Sequence, residues 1–420
     1  MARSDAKPAA FAWALYDCGN SAFTTTVMAG FFPLFFKKYW SAGADVSDST
    51  WHLGLANSIA SVIVACLAPL LGSVADVGRS KKRWLGGFAV IGCCATFGLS
   101  LVGKGSWQLA AACYALASVG YAASLVFYDA LLVSVASDAD SDRVSSLGYS
   151  LGYLGGGVLF AVNVGMTLDP KLFGLADAAA GVRVSFVTVA LWWAVFTLPL
   201  LLKVREREFG AKLAARAPFA QAITRLRQTF RRVRSMPEVW RFLLAYWLYI
   251  DAVDTIVRMA VDYGLSLGLP DNSLIIALLI TQFVGFPAAI GFAKLAARIG
   301  TKRSILLGIV VYLGVTVFGY FMQTPREFYV LAGVIGLVQG GVQALSRSLF
   351  SRLIPESEAG EFFGFYNMLG KFATVIGPVL MGLTGLLTHS SRLSILSISV
   401  LFLAGGVLLL RVRETSAAGT

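Results

Sequence analysis

Apolar runs of about twenty residues recur along the whole 420-residue chain, each separated from the next by a polar or charged break. A run of that length crosses the hydrocarbon core of a bilayer as a helix. Lipid satisfies no backbone polar group, and these runs are too long and too continuously apolar for barrel strands, so helices are the only plausible spanning element. The segmentation predicts twelve spans, at approximately 9 to 36, 53 to 75, 84 to 103, 107 to 136, 144 to 168, 182 to 202, 239 to 265, 273 to 293, 304 to 323, 328 to 350, 362 to 387 and 393 to 410. Composition agrees: 57% of residues are hydrophobic and only 14% charged, and no soluble core hides that much apolar surface.

Lysine and arginine sit asymmetrically across these spans. With both termini on one side, 26 fall on that side or at span ends toward it, 7 on or toward the other, and 2 (Arg258 and Lys371) lie deep within spans. The bias predicts a multi-pass protein of the bacterial inner membrane with both termini in the cytoplasm. It also accounts for the net charge of +12, whose counter-charge is expected to be anionic lipid and not nucleic acid.

Cys18, Cys66, Cys93, Cys94 and Cys113 all fall in predicted spans without CxxC or other metal-ligand spacing, which reads as packing. No metal site or cofactor is expected. His52 and His389 lie at loops or span ends on the less basic side, away from any proton relay. The first span is too long for the apolar region of a cleavable leader. There is no GxxxxGK[ST] loop for nucleotide hydrolysis and no Ser/His/Asp arrangement, so an enzyme is not expected.

The longest hydrophilic interval splits the spans six and six, giving a first half at 1–203, a basic cytoplasmic linker at 204–238 and a second half at 239–420. Within the linker Phe219, Ile223, Leu226, Phe230 and Val233 recur at three- or four-residue steps among arginines. That pattern predicts a basic amphipathic helix on anionic lipid, or a solvated tether held inside by charge. The halves also resemble each other. Trp13, Asp17 and Asn20 have the spacing of Trp247, Asp251 and Asp254; "ADVGRSKKR" parallels "ARIGTKR"; and the glycine-punctuated "RVSSLGYSLGY" parallels "EFFGFYNMLGK". Two parallel six-span halves are the pattern of transporters that rock about a central site.

"GSVADVGRSKKR", with Gly72, Asp76, Gly78 and Arg79, resembles the signature loop between spans 2 and 3 of the major facilitator superfamily. "WALYDCGNSAF", "FYDALLVSVA", "GYLGGG", "GLVQGGVQALSRSLFSRLIP" and "EFFGFYNMLGKFATVIGP" resemble blocks of its vacuole-effluxer-like branch, bacterial relatives of the fungal vacuolar amino-acid effluxer. Cys18 and Gly19 stand where that branch usually has Trp and Ala. The resemblance implies an all-α major facilitator fold and, loosely, efflux of an amino-acid-like solute. A monomer is expected to suffice.

Ionisable residues inside spans are costly and ordinarily face a cavity or a partner. Asp17 lies about 12 Å into span 1, and Asp129 lies at a similar depth in span 4. Two carboxylates at one level could share a proton and couple transport to a proton gradient, or Asp17 could simply fix helix packing. Span 7 carries Asp251 nearer the midplane and a possible ion-pair ladder of Asp254, Arg258 and Asp262, or Arg258 serves an outer gate. Lys371, near the middle of span 11 with Asn367 one turn earlier, needs a carboxylate from Asp17, from Asp251 or from the solute. Gln339, Gln343 and Arg347 form a polar stripe in span 10, ending in an inner gate or an interface anchor. Asp17, Asn20, Asp251, Gln343, Asn367 and Lys371 are the expected solute contacts, and Asp17, Asp129 and Asp251 the expected proton carriers. Gly72, Asp76, Gly78, Arg79, Arg258 and Arg347 are the expected gating residues. The function expected is secondary active transport of a small polar solute, proton-coupled efflux of an amino-acid-like or zwitterionic one. The alternatives are a solute-binding sensor on the same scaffold, or transport of anionic metabolites or metal chelates.

Overall fold

The computed structural model describes residues 3–42, 63–64, 67–68, 70–71, 81–207, 219–266, 271–372 and 376–414. Most of span 2 and the signature loop with Gly72, Asp76, Gly78 and Arg79 lie outside these, as do the side chains of Arg258, Asp262 and Lys371. Among the described residues, eight helices are long and apolar enough to cross a membrane. Further helices occupy the positions of span 1 (Arg3–Ala22, continued to Trp40), span 7 (Pro237–Ser266) and span 11 (Ala359–Phe372 and Ile376–Thr388). Span 11 is described in pieces of 14 and 13 residues, and the helices at spans 1 and 7 include charged residues. Across the described helices, outward-facing leucines, valines and phenylalanines stay exposed, with Leu202 of span 6 at 80% and Leu168 of span 5 at 73%, a surface suited to lipid and not to water.

Helix ends are set by local chemistry. Pro325 opens the span 10 helix behind a reciprocal cap in which Thr324 Oγ1 accepts from Glu327 N and Glu327 accepts from Thr324 N. Asp177 accepts from Ala180 N at the start of span 6. Two further caps come from far along the chain and match between halves. Glu206, after span 6, accepts from Lys81 N and Lys82 N at the start of span 3, while Lys82 Nζ donates to Leu201 O. Glu414, after span 12, accepts from Lys302 N at the start of span 9, while Lys302 Nζ donates to Leu410 O and Val412 O. The repeat seen in sequence thus extends to the way each six-span set closes its ends. These contacts gather at one end of the molecule, here called the basic end.

The buried apolar side chains form two clusters. One runs from Ala9 to Val204, the other from Val233 to Val412 with Ala130 and Val133 joining it from span 4. Span 5 lies between them. On one side a Cβ at Gly155 would sit 2.6 Å from Cys18 O, so only glycine permits this approach of span 5 to span 1. On the other, Ser150 Oγ donates to Phe286 O of span 8.

The linker carries a helix, Phe219–Ser235, as its periodicity predicts. It rests on the start of span 11: Thr229 Oγ1 donates to Glu361, Arg232 Nε pairs with Glu358 at 2.9 Å, and Phe230 contacts Trp240 and Phe365. Span 11 is described as two helices, and Pro378 falls in the first turn of the second, where a missing N–H costs nothing.

Candidate functional site

Span 10 sends one guanidinium into the first half. Arg347 lies six residues before Leu353, where its helix ends, about 9 Å from the basic end, and is 2% exposed. Its Nη1 meets Asp129 Oδ1 at 3.2 Å and its Nη2 lies 3.6 Å from Asp17 Oδ2. Nε donates to Ser145 Oγ at 2.9 Å and Nη2 to Ser145 O at 3.0 Å. Three aromatic rings enclose it, with Cζ 4.5 Å from the Tyr149 centroid, 4.8 Å from Trp13 and 5.2 Å from Tyr128.

The cage walls are fixed in turn. Trp13 stacks on Tyr128 with centroids 4.3 Å apart, and its Nε1 donates to Tyr128 O at 2.9 Å. Tyr128 OH donates to Asp17 Oδ2 at 2.8 Å, and Asn367 Nδ2 to Asp129 Oδ2 at 2.9 Å. The two carboxylates share the one guanidinium, each through one oxygen, and each accepts a further hydrogen bond, which a buried charge requires. Nearer the basic end Asp142 pairs with Arg352 at 3.2 Å and accepts from Ser348 and Thr301, while Ser145 Oγ donates to Ala344 O. Toward the other end the halves touch through Gln282 Nε2 and Thr25 Oγ1, 2.6 Å apart. Beyond that level the hydrogen bonds named at the outer ends run within their own halves, Trp40 Nε1 to Val102 O and Tyr263 OH to Gly319 O, while Ile275, Leu278 and Leu279 of span 8 still pack on the core of the first half. The halves are pinned together at the basic end.

Of the residues singled out by sequence, Asp17, Asp129, Arg347 and Asn367 converge. Asn20 shares the span 1 face of Trp13 and Asp17, is 1% exposed, and its Nδ2 has no hydrogen-bond partner among the described residues. Gln343 and Gln339 follow Arg347 along span 10, half-buried. Asp251 stands apart. Its carboxylate accepts from Ile376 N at 3.1 Å, Gly377 N at 3.0 Å and Thr255 Oγ1, capping the second helix of span 11. Asp17 and Asp251, expected as counter-charges for Lys371, thus have these other partners. Sequence reading did not assign Tyr128, Tyr149 and Ser145. A signal existed for one of them, since tyrosine precedes aspartate in both "LYD" and "FYD". Among the described residues no three His, Cys, Asp or Glu side chains group to hold a metal ion.

The model of the vacuole effluxer Atg22-like family matches residues 52–141 and 133–419. The chain belongs to that family. It is 38% identical over 406 residues to the uncharacterized MFS-type transporter YxiO of Bacillus subtilis, covering 96% of this chain and 94% of that one. It is 24% identical over 453 residues to autophagy-related protein 22 of Eremothecium gossypii, covering 91% and 86%. Among solved structures, the proton:xylose symporter XylE superposes with a TM-score of 0.70 at 12% identity, covering 97% of this chain and 95% of that one. The fold is that of the major facilitator superfamily, and the chain stands among multi-pass membrane transporters, not enzymes.

Proposed function

We propose that this protein is a proton-coupled exporter of a small amino-acid-like solute, working by alternating access between two six-span halves, 1–203 and 239–420. The observation that carries the reading is Arg347 of the second half buried between Asp17 and Asp129 of the first. Breaking a buried pair by removing one partner costs about 3–5 kcal/mol, enough to hold one end shut until something replaces the cation. The charge bias assigns that end to the cytoplasm of a bacterial inner membrane, so this state opens outward. When the basic end parts, Asp17 and Asp129 lose their cation and take up protons or solute. Asp251 serves span 11 in this state, and Lys371 and Asn367 remain candidate solute contacts on it. Efflux is supported by the family's vacuole-effluxer description.

The linker helix is the proposed contact with anionic lipid. Between the start of span 3 and the end of span 6, a groove of about 770 Å³ lined by Lys82, Arg83, Arg205 and Glu206 offers a second basic surface. A monomer contains every residue of the cage.

The test is flux from proteoliposomes loaded with amino acids and dipeptides, with and without an imposed pH gradient, read by mass spectrometry. Gradient-driven movement of a zwitterion, lost in Asp17→Asn, is the expected result. Folded protein that moves no member of the pool would reject the reading in favour of anionic metabolites, metal chelates or sensing.

A further inference from the structure

Every group described around the Arg347 guanidinium belongs to the first half. Trp13 and Asp17 come from span 1, Tyr128 and Asp129 from span 4, Ser145 and Tyr149 from span 5. Seen from that half, the side chain of span 10 sits as a bound ligand would. We propose that this cage is the solute's cation site, that Arg347 fills it as an internal stand-in when the basic end is shut, and that the solute carries a guanidinium head. This deepens the transport reading above and rests on it.

The argument runs from what remains when the halves part. Arg347 leaves with span 10, and two carboxylates that are 8% and 5% exposed here lose their cation. Protons would neutralise them but would leave three aromatic faces without the charge they surround. A planar guanidinium satisfies both sets, together with Ser145 Oγ and O, whose spacing already fits one fork. An ammonium presents no fork and would leave one Ser145 acceptor unmet. Asn20 lies three residues after Asp17 on the same face, is buried, and turns its amide toward the Asp17 carboxylate, holding that carboxylate at the cage for the guanidinium head. Solute and Arg347 then compete for one site, so as the basic end closes Arg347 displaces the solute's head from the cage and the solute is released toward the opposite opening.

The experiment is competition for counterflow and for binding in reconstituted full-length protein, using L-arginine and agmatine against L-citrulline and N-carbamoylputrescine, in which a neutral urea head replaces the charged guanidinium. The members with the charged head are expected to bind at least about tenfold more tightly, because a site built to pair a donor head rejects the analogue lacking it. Tyr149→Leu should narrow that preference. In Arg347→Ala, L-arginine should raise the melting temperature and L-citrulline should not. Should that variant not fold, the wild-type competition decides alone. Equal binding of charged and neutral members overturns the proposal. Discriminating binding without counterflow supports the cage and sinks transport, whereas counterflow of a neutral amino acid that arginine and agmatine leave untouched sinks the cage and spares transport.

Discussion

Arg347 donates from Nε to Ser145 Oγ and from Nη2 to Ser145 O, so a single residue of span 5 holds one whole edge of the guanidinium. Lysine at this position keeps the charge but offers a single flexible point, without the planar fork or its stacking on Tyr149 and Trp13. Arg347→Lys is therefore expected to weaken the seal by about 1.5–3 kcal/mol, the range for a hydrogen bond to a charged group. Labelling of a cysteine placed at Ser141 from the basic side should rise in Arg347→Lys, and unchanged labelling would show that charge alone closes this end.

Gly148 faces the same cluster. A Cβ there would lie 2.8 Å from both Asp17 Oδ2 and Tyr128 OH and 3.1 Å from Arg347 Nη2, with three fixed groups and no flexible tip to yield. Gly148→Ala should cost about 1–3 kcal/mol, as overpacking does. The cost falls on the closed state, so the mutant should populate the opposite opening and lose counterflow while its expression stays near normal. Full activity in Gly148→Ala would mean that the cage is looser than these distances imply.

What could be read in advance follows from the range of the forces involved. Apolar runs are local properties, so eight of the predicted spans, the linker helix at Phe219–Ser235 and the fold were legible. The stripe of Gln339, Gln343 and Arg347 was legible as a polar face too. Its partner was not, because Arg347 and Asp129 stand 218 residues apart and meet only through packing of span 10 on span 5. The internal repeat even misdirects at one point. Asp17 and Asp251 have matching spacing from Trp13 and Trp247, yet Asp17 meets a tyrosine hydroxyl and a guanidinium, whereas Asp251 meets the backbone N–H groups of Ile376 and Gly377. Spacing fixes which face of a helix a carboxylate takes, while its partner is set by the neighbouring helix.

That difference separates the two aspartates experimentally. Asp251→Asn retains one acceptor where two oxygens receive three donors, and the unmet N–H groups carry a penalty of about 1–3 kcal/mol. A lower melting temperature is expected, with the ratio of coupled to uncoupled flux unchanged. If Asp251→Asn instead abolished the pH dependence of flux while leaving stability intact, the cap would be incidental and Asp251 would carry the proton.

The matched end caps give a last contrast. Glu206 is half-buried and receives two backbone donors from span 3; Glu414 is exposed and is described with one, from span 9. Helix N-termini favour a carboxylate, and removing a cap costs about 0.5–2 kcal/mol, with solvent offsetting more of the loss at an exposed site. Glu206→Ala should accordingly lower the melting temperature more than Glu414→Ala. Raising the salt concentration should shrink both effects, since screening weakens an exposed charge first. Equal losses in the two variants would indicate that the halves close their ends with equal strength, and that the deeper burial of Glu206 adds nothing.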